Sequence, residues 1–328
     1  MIGSRCLGIM RASIKELLDE YQVRRSLKQK QAFIDWLKGH AQLHDYKIYE
    51  QTYKKGRSKN LIIGNPKTAQ AIVTAHYDTP PSALIPIVTV VGNIPIYILG
   101  QLAIFFPIIA LIWMFNLVLT TLLGDFGIWS EMSPFLWFEV PFLVVILLIM
   151  WCLQMMMGVA NRKNANDNTS GVAVLVSLLE ELSQSKRDEV CFVFFDEEEK
   201  GLEGAKVFKK TYQQAIKFKP LINFDCVAHG KYLMFITKKE FRESRFNDIL
   251  ADVTANKALM KEAKNYVYPS DQLIFKNSVG VTAVHKFPVL GYYLSRLHSR
   301  FDTKFNANQI EELTQIMMAF IETATDTN

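Results

Sequence analysis

The sequence predicts an α/β fold: a three-layer sandwich around a mixed, largely parallel central sheet, interrupted by a transmembrane helical hairpin. Three observations carry this expectation. Short β-rich runs alternate with segments of helical periodicity on both sides of the middle of the chain. One run, Val190–Phe195 (VCFVFF), is apolar at every position, as a strand covered on both faces is. Finally, residues 79–124 contain no Asp, Glu, Lys or Arg. A chain of 328 residues has room for two domains, or for one large α/β domain with an insert. Its composition excludes a disordered, collagen-like or coiled-coil protein.

Taken in order, 12–40 reads as one or two amphipathic helices, with Ile14, Leu17, Leu18 and Tyr21, then Phe33, Ile34, Trp36 and Leu37 at near-helical spacing. Strand-like runs follow at 46–53, 60–64 and 71–75. Residues 103–123 are long enough to cross a bilayer core as a helix, and 140–160 form a second such run. The rest of the chain is too small to cover two helices apolar on every face. The broken apolar piece at 84–99, with Pro86, Gly92, Asn93 and Pro95, reads as re-entrant, interfacial or packed on the α/β domain. Beyond the insert come a helix at 171–182, the strand Val190–Phe195, a helix at 202–216, and strands Leu221–Phe224 and Tyr232–Thr237. A helix at 241–258, strands at 281–284 and 289–294 and a closing helix at 308–323 complete the chain.

The domain division is therefore 1–78 with 161–328 as one discontinuous α/β domain, and 79–160 as the insert. Basic residues flank the insert (Lys54, Lys55, Arg57, Lys59, Lys67, Arg162, Lys163), while the connection between its spans carries Asp125 and Glu131. The positive-inside bias then places the protein in the membrane, multi-pass, with the α/β domain cytoplasmic. The lipid bilayer is an expected partner, and the net charge of +5 comes with no nucleic-acid motif. The four cysteines are far apart and read as reduced. Cys226 is expected to point away from Asp225 by strand alternation.

In open α/β sheets, chemistry sits at the carboxyl ends of strands. There the sequence places His76-Tyr77-Asp78, Asp196 to Glu199, Asp225 and His298, with Asp167-Asn168 just before a helix. Each alone has an ordinary reading: a core histidine, a solvated acidic loop, a helix cap. Together they supply two histidines and several carboxylates without thiolates, the donor mix of a hydrolytic Zn²⁺ or Mn²⁺ site. A carboxylate two residues after a histidine can hold its second ring nitrogen. Adjacent glutamates allow one to bind metal while the other acts as base.

The stretches AHYDTPP, NDNTSGVAVL, FFDEEEKGLEGA, NFDCV and LHSRFDT stand in this order across residues 71–303. They resemble the zinc-dependent exopeptidases that include bacterial leucyl aminopeptidases, glutamate carboxypeptidases and glutaminyl cyclases. SDQLIF at 270–275 resembles a further motif of that family. The resemblance implies two divalent metal ions, zinc above all. His76 and Asp225 would hold one, Glu199 and His298 the other, and Asp167 would bridge them. Glu198 would be the catalytic base, Asp78 would orient His76, and Asp302 would lie behind the ligands. Asp196 and Glu197 are expected to be solvated or hydrogen-bonded around the loop. The implied activity is that of a metallopeptidase acting on a peptide substrate, foremost an aminopeptidase. A carboxypeptidase, a cyclase and a non-catalytic receptor domain remain alternatives, and oligomeric state is open.

Overall fold

A computed structural model describes residues 10–83, 86–103, 158–288 and 291–326, with scattered positions between 110 and 150. Two helices open the chain, α1 (Ala12–Glu20) and α2 (Leu27–Leu43). Ser26 starts α2 through a capping box: its hydroxyl accepts from the Gln29 amide while the Gln29 side chain accepts from the Ser26 amide. Strands β1 (Ile48–Tyr53), β2 (Ser58–Ile63) and β3 (Ala71–His76) follow, then β4 (Ile87–Val91) and α3 (Ile94–Ala103). After the insert come α4 (Thr169–Glu181), β5 (Val190–Phe195), α5 (Glu203–Ile216), β6 (Leu221–Phe224) and β7 (Tyr232–Thr237). The chain closes with α6 (Lys239–Arg242), α7 (Arg245–Thr254), β8 (Leu259–Glu262), β9 (Ser278–Phe287), β10 (Gly291–Leu297) and α8 (Ala307–Thr325).

These strands form one mixed sheet in the order β1-β2-β5-β3-β6-β9-β10-β4, with β7 pairing β9 and carrying β8. Its centre, β5-β3-β6-β9, is parallel, the flanking pairs β1-β2, β2-β5, β9-β10, β10-β4 and β7-β9 are antiparallel, and β7-β8 is parallel. Alternation along β5 explains why that strand is apolar throughout. Val190, Phe192 and Phe194 enter the core beneath α1, α2, α4 and α8, whereas Cys191, Val193 and Phe195 enter the core beneath α5. Helix α4 is buried from Thr169 to Leu179, because it lies between the sheet and α8. The mixed α/β sandwich is as expected.

Some expectations are corrected. The helix anticipated at 241–258 is two helices, α6 and α7, and a strand that was not anticipated follows it. Ser244 adopts an extended conformation (φ −98°, ψ 158°) between α6 and α7, and 259–262 pairs with the free edge of β7 as β8. The strands anticipated at 281–284 and 289–294 are longer and shifted, and positions 289–290 lie outside the described residues.

The larger correction concerns the membrane. Among the described residues no helix is long and apolar enough to cross one, so neither the transmembrane hairpin, the lipid partner nor the multi-pass cytoplasmic-facing placement is upheld. The continuous helix described in the insert, α3, has 10 residues, about 15 Å of rise against a hydrocarbon core of about 30 Å. Most of 103–123 and 140–160 lies outside the described residues. The insert nevertheless begins as part of the catalytic sheet. β4 pairs antiparallel with β10, and the Val267 amide donates to the Gly92 carbonyl at 2.6 Å. Its two ends meet where the Ser82 amide donates to the Val159 carbonyl at 2.7 Å.

Candidate metal centre

The parallel strands β3, β5 and β6 and the antiparallel strand β10 deliver the acidic and imidazole groups to one site. His76 is the last residue of β3, Asp225 follows β6, His298 follows β10, and Glu198 and Glu199 sit on the turn after β5. Asp167 stands just before α4. The Asp167–Asn168 peptide bond is cis. Asn168 ties that loop to two strand ends, its Nδ2 donating to the Phe224 carbonyl at 2.9 Å and the His76 carbonyl at 3.4 Å, while its Oδ1 accepts from the Gly171 amide of α4 at 2.9 Å. Gly171 lets α4 come this close, since a Cβ there would lie 2.3 Å from the Phe224 oxygen.

The side chains converge in two clusters that share Asp167. His76 Nε2 lies 3.6 Å from both Asp167 Oδ1 and Asp225 Oδ1. His298 Nε2 lies 3.2 Å from Asp167 Oδ2 and 3.5 Å from Glu199 Oε2. Each cluster brings its donor atoms within 4.8 Å of one another, as does the group of His76, Glu198 and Glu199. His76 Nδ1 faces Asp78, 3.1 Å from its carbonyl and 3.5 Å from Oδ1. The same carboxylate accepts from the Glu198 amide at 3.0 Å and the Glu199 amide at 3.3 Å. Asp78 thus connects the β3 end to the glutamate turn. Asp302 performs a similar service for Asp167, accepting from the Asn166 amide at 2.9 Å and the Asp167 amide at 3.0 Å.

This donor set fits divalent cations. Glu199 Oε1, Asp225 Oδ1 and His298 Nδ1 are buried with no hydrogen-bond partner. Burial pushes Glu198 and Glu199 well above the usual carboxylate range, and neighbouring carboxylates add to the effect for both. Burial alone would lower His76, but the Glu198 charge and hydrogen bonds to Asp225 and Asp78 outweigh it and raise the imidazole well above its ordinary value. Several carboxylates crowded without matching positive charge are costly to bury, and divalent cations would relieve that cost.

Three residues outside the sequence expectation contribute. Lys30 of α2 is buried and forms an ion pair with Asp196, with Glu197 Oε1 3.4 Å away. Asp196 and Glu197 are therefore buried and lysine-paired, so the solvated reading of them does not hold. A signal for Lys30 exists: it lies three, four and seven residues before Phe33, Ile34 and Leu37, on the apolar stripe of α2. Arg24 is fully buried and donates through Nη1 to Thr169 Oγ1 at 3.1 Å and through Nε to the Tyr77 carbonyl. Burial lowers it to about 9, against the pull of Asp78 and Asp167. Nothing in its sequence neighbourhood marks it. Asp271 is buried with both oxygens unpartnered, and burial raises it to about 8. It belongs to the SDQLIF stretch.

Cys226 is corrected as well. It lines the cavity together with Asp225, because it lies beyond the end of β6 at φ +56°, where strand alternation no longer applies.

Replacing Lys30 with Met should expose how much the buried charge pairing matters. Asp196 and Glu197 would lose their buried cation, and chemical denaturation should register a loss of about 3–5 kcal/mol. Burial would raise Glu197, yet hydrogen bonds from Lys200 and Lys54 and the Lys30 charge hold it at about 2 against an ordinary 4.5. A carboxylate depressed in the folded state stabilises fully above the unfolded value, so this contribution should fade as pH falls from about 4.5 toward 2.

The family model of peptidase family M28 matches residues 156–321. No curated protein matches the chain. Among solved structures, the Legionella pneumophila LapA aminopeptidase superposes over 96% of this chain and 70% of its own, at 12% identity and a TM-score of 0.56. Glutaminyl cyclase from Bacteroides thetaiotaomicron, bound to N-acetylhistamine, covers 94% of each chain at 13% identity and a TM-score of 0.56. A Zn-dependent exopeptidase from Parabacteroides distasonis covers 94% of this chain and 95% of its own, also at 13% identity and 0.56. Identities this low speak to fold, and the resemblance read from the motifs agrees with them. Since half of its length matches the family model, the chain belongs to peptidase family M28.

Proposed function

We propose that the chain is an aminopeptidase that removes single N-terminal residues from peptides. The observation that carries this reading is the position of Asp167, facing both histidines from its two oxygens, at 3.6 and 3.2 Å. His76 and Asp225 would hold one cation, Glu199 and His298 the other, and Asp167 both. Cations bound there supply positive charge that polarises the scissile carbonyl and acidifies the attacking water. Glu198 takes a proton from that water and returns it to the leaving amine, a role suited to a buried carboxyl whose proton affinity is raised. Asp78 holds His76 at Nδ1 and, through the Glu198 and Glu199 amides, keeps the base registered against the ligands. Asp302 restrains Asp167 in the same manner.

The lining of the cavity favours an amino over a carboxyl terminus. The described residues lining its roughly 240 Å³ include Asp167, Glu198, Glu199 and Asp225 but neither Lys nor Arg. With two divalent cations bound these carboxylates are largely balanced, so the bias rests on the lining, which offers a C-terminal carboxylate no basic side chain. Ile87, Leu297, Pro269 and Tyr268 give the lining an apolar part. The insert therefore supplies part of the substrate wall, because Ile87 of β4 pairs with Leu297 beside His298. An apolar N-terminal side chain of moderate size suits that wall.

The deciding experiment is digestion of peptides with free or acetylated N-termini, with added Zn²⁺ or a chelator, read by mass spectrometry. Stepwise, metal-dependent loss from free N-termini only is expected; release of C-terminal residues would overturn the reading. Enlarging the wall with Ile87→Phe should lower kcat/KM for N-terminal leucine by about tenfold relative to alanine. Equal effects on both substrates would remove Ile87 from the wall.

A further inference from the structure

A second group of metal-ligand side chains lies on the helical layer. His40 and His44 stand one turn apart at the C-terminal end of α2, and Glu180 faces them from α4. All three offer donor atoms within 4.8 Å of one another. His40 Nε2 is 3.1 Å from Glu180 Oε1, close to the roughly 3.3 Å edge of a tetrahedron with zinc bonds of about 2.0 Å. The same nitrogen is buried and, beyond this contact with Glu180, has no hydrogen-bond partner. The two imidazole rings lie 5.1 Å apart, and Trp36 stacks on His40 at 5.5 Å and 15°, limiting rotation of the ring.

Glu180 is not consumed by its basic neighbour. Arg11 Nη1 takes the other oxygen, Oε2, at 3.2 Å, and Arg11 also pairs with Glu181 and with Glu311 at 2.8 Å. One carboxylate oxygen thus answers the arginine while Oε1 faces the histidines. The C-terminal end of α2 adds the negative pole of its dipole next to His44.

We propose that His40, His44 and Glu180 form a second, non-catalytic site for a zinc-class transition cation, which clamps α2 to α4. Two imidazoles and one carboxylate are a borderline-soft donor set that selects zinc, cobalt or copper over calcium or magnesium. The clamp would secure α2, which carries Lys30 to the glutamate turn, against the helix that begins beside Asp167. It is independent of the roles assigned at the catalytic centre.

Metal-free protein equilibrated with Zn²⁺ alone and measured by elemental analysis tests this. Wild type should bind one equivalent more than His44→Gln, and Glu180→Gln should lose the same equivalent. Both variants should keep wild-type peptidase turnover, and both should lose the part of the zinc-induced rise in Tm that belongs to this site. In an Asp167→Ala background, which addresses the catalytic centre separately, Co²⁺ should still quench the fluorescence of Trp36, judged against Trp36→Phe. Equal zinc content in wild type and in correctly folded His44→Gln would overturn the proposal, as would zinc lost from His44→Gln together with turnover.

Discussion

Glu198→Gln is expected to lower turnover by about 10²–10⁴-fold while leaving zinc content at the wild-type level. The substitution keeps the shape of the side chain and removes its capacity to take a proton. The Glu198 backbone amide continues to donate to Asp78 Oδ1, so the position of the turn and of Glu199 is kept. Loss should fall on kcat with KM little changed, because an interaction made only while the proton moves is removed. Removing a buried carboxyl from a site that also contains Asp78, Asp225 and Asp271 should also make the metal-free protein slightly more stable. Steady-state kinetics and elemental analysis on the same preparation check this. Turnover near wild type would take Glu198 out of the role of base.

Asp167→Ala is expected to abolish activity by a different route, through loss of metal. Its two oxygens face separate histidines, so truncation removes a donor from both clusters together. A cation present at 100 times its Kd stabilises the folded wild type by about 2.7 kcal/mol, and most of that catalytic-centre increment should vanish in the variant. The metal-free variant should be no less stable than the metal-free wild type, since a carboxylate is removed from an acidic cluster while Asp302 still accepts the backbone amide of residue 167. Thermal unfolding with and without Zn²⁺ separates the two effects. Retention of the full catalytic zinc content would place the shared donor elsewhere.

The chain of 328 residues determined much of this before any tertiary contact was known. The β3, β5 and β6 runs, the helix after Asn168 and the closing helix are local patterns of period and capping, which travel with the sequence itself. The candidate ligands were legible for a related reason: strand ends in a parallel sheet converge on one edge, so His76, Asp225 and the glutamate turn after β5 announce a common site from their positions along the chain. The ordered motifs added the family.

Other features depend on what lies across space. Lys30 pairs with Asp196 and Arg24 donates to the Thr169 hydroxyl, both across more than a hundred residues of sequence, so no local pattern couples them. Cys226 turns into the cavity because the chain leaves β6 with a positive φ, a choice made by tertiary packing. β8 is a strand because β7 offers a free edge, and Leu259–Glu262 has little β pattern of its own. Hydropathy likewise counts apolar residues without knowing what hydrogen-bonds to them. The broken apolar piece at 84–99, whose sequence leaves re-entrant, interfacial and packed placements open, contributes β4 to the sheet and Ile87 to the cavity lining, because the open edge of β10 satisfies its backbone there.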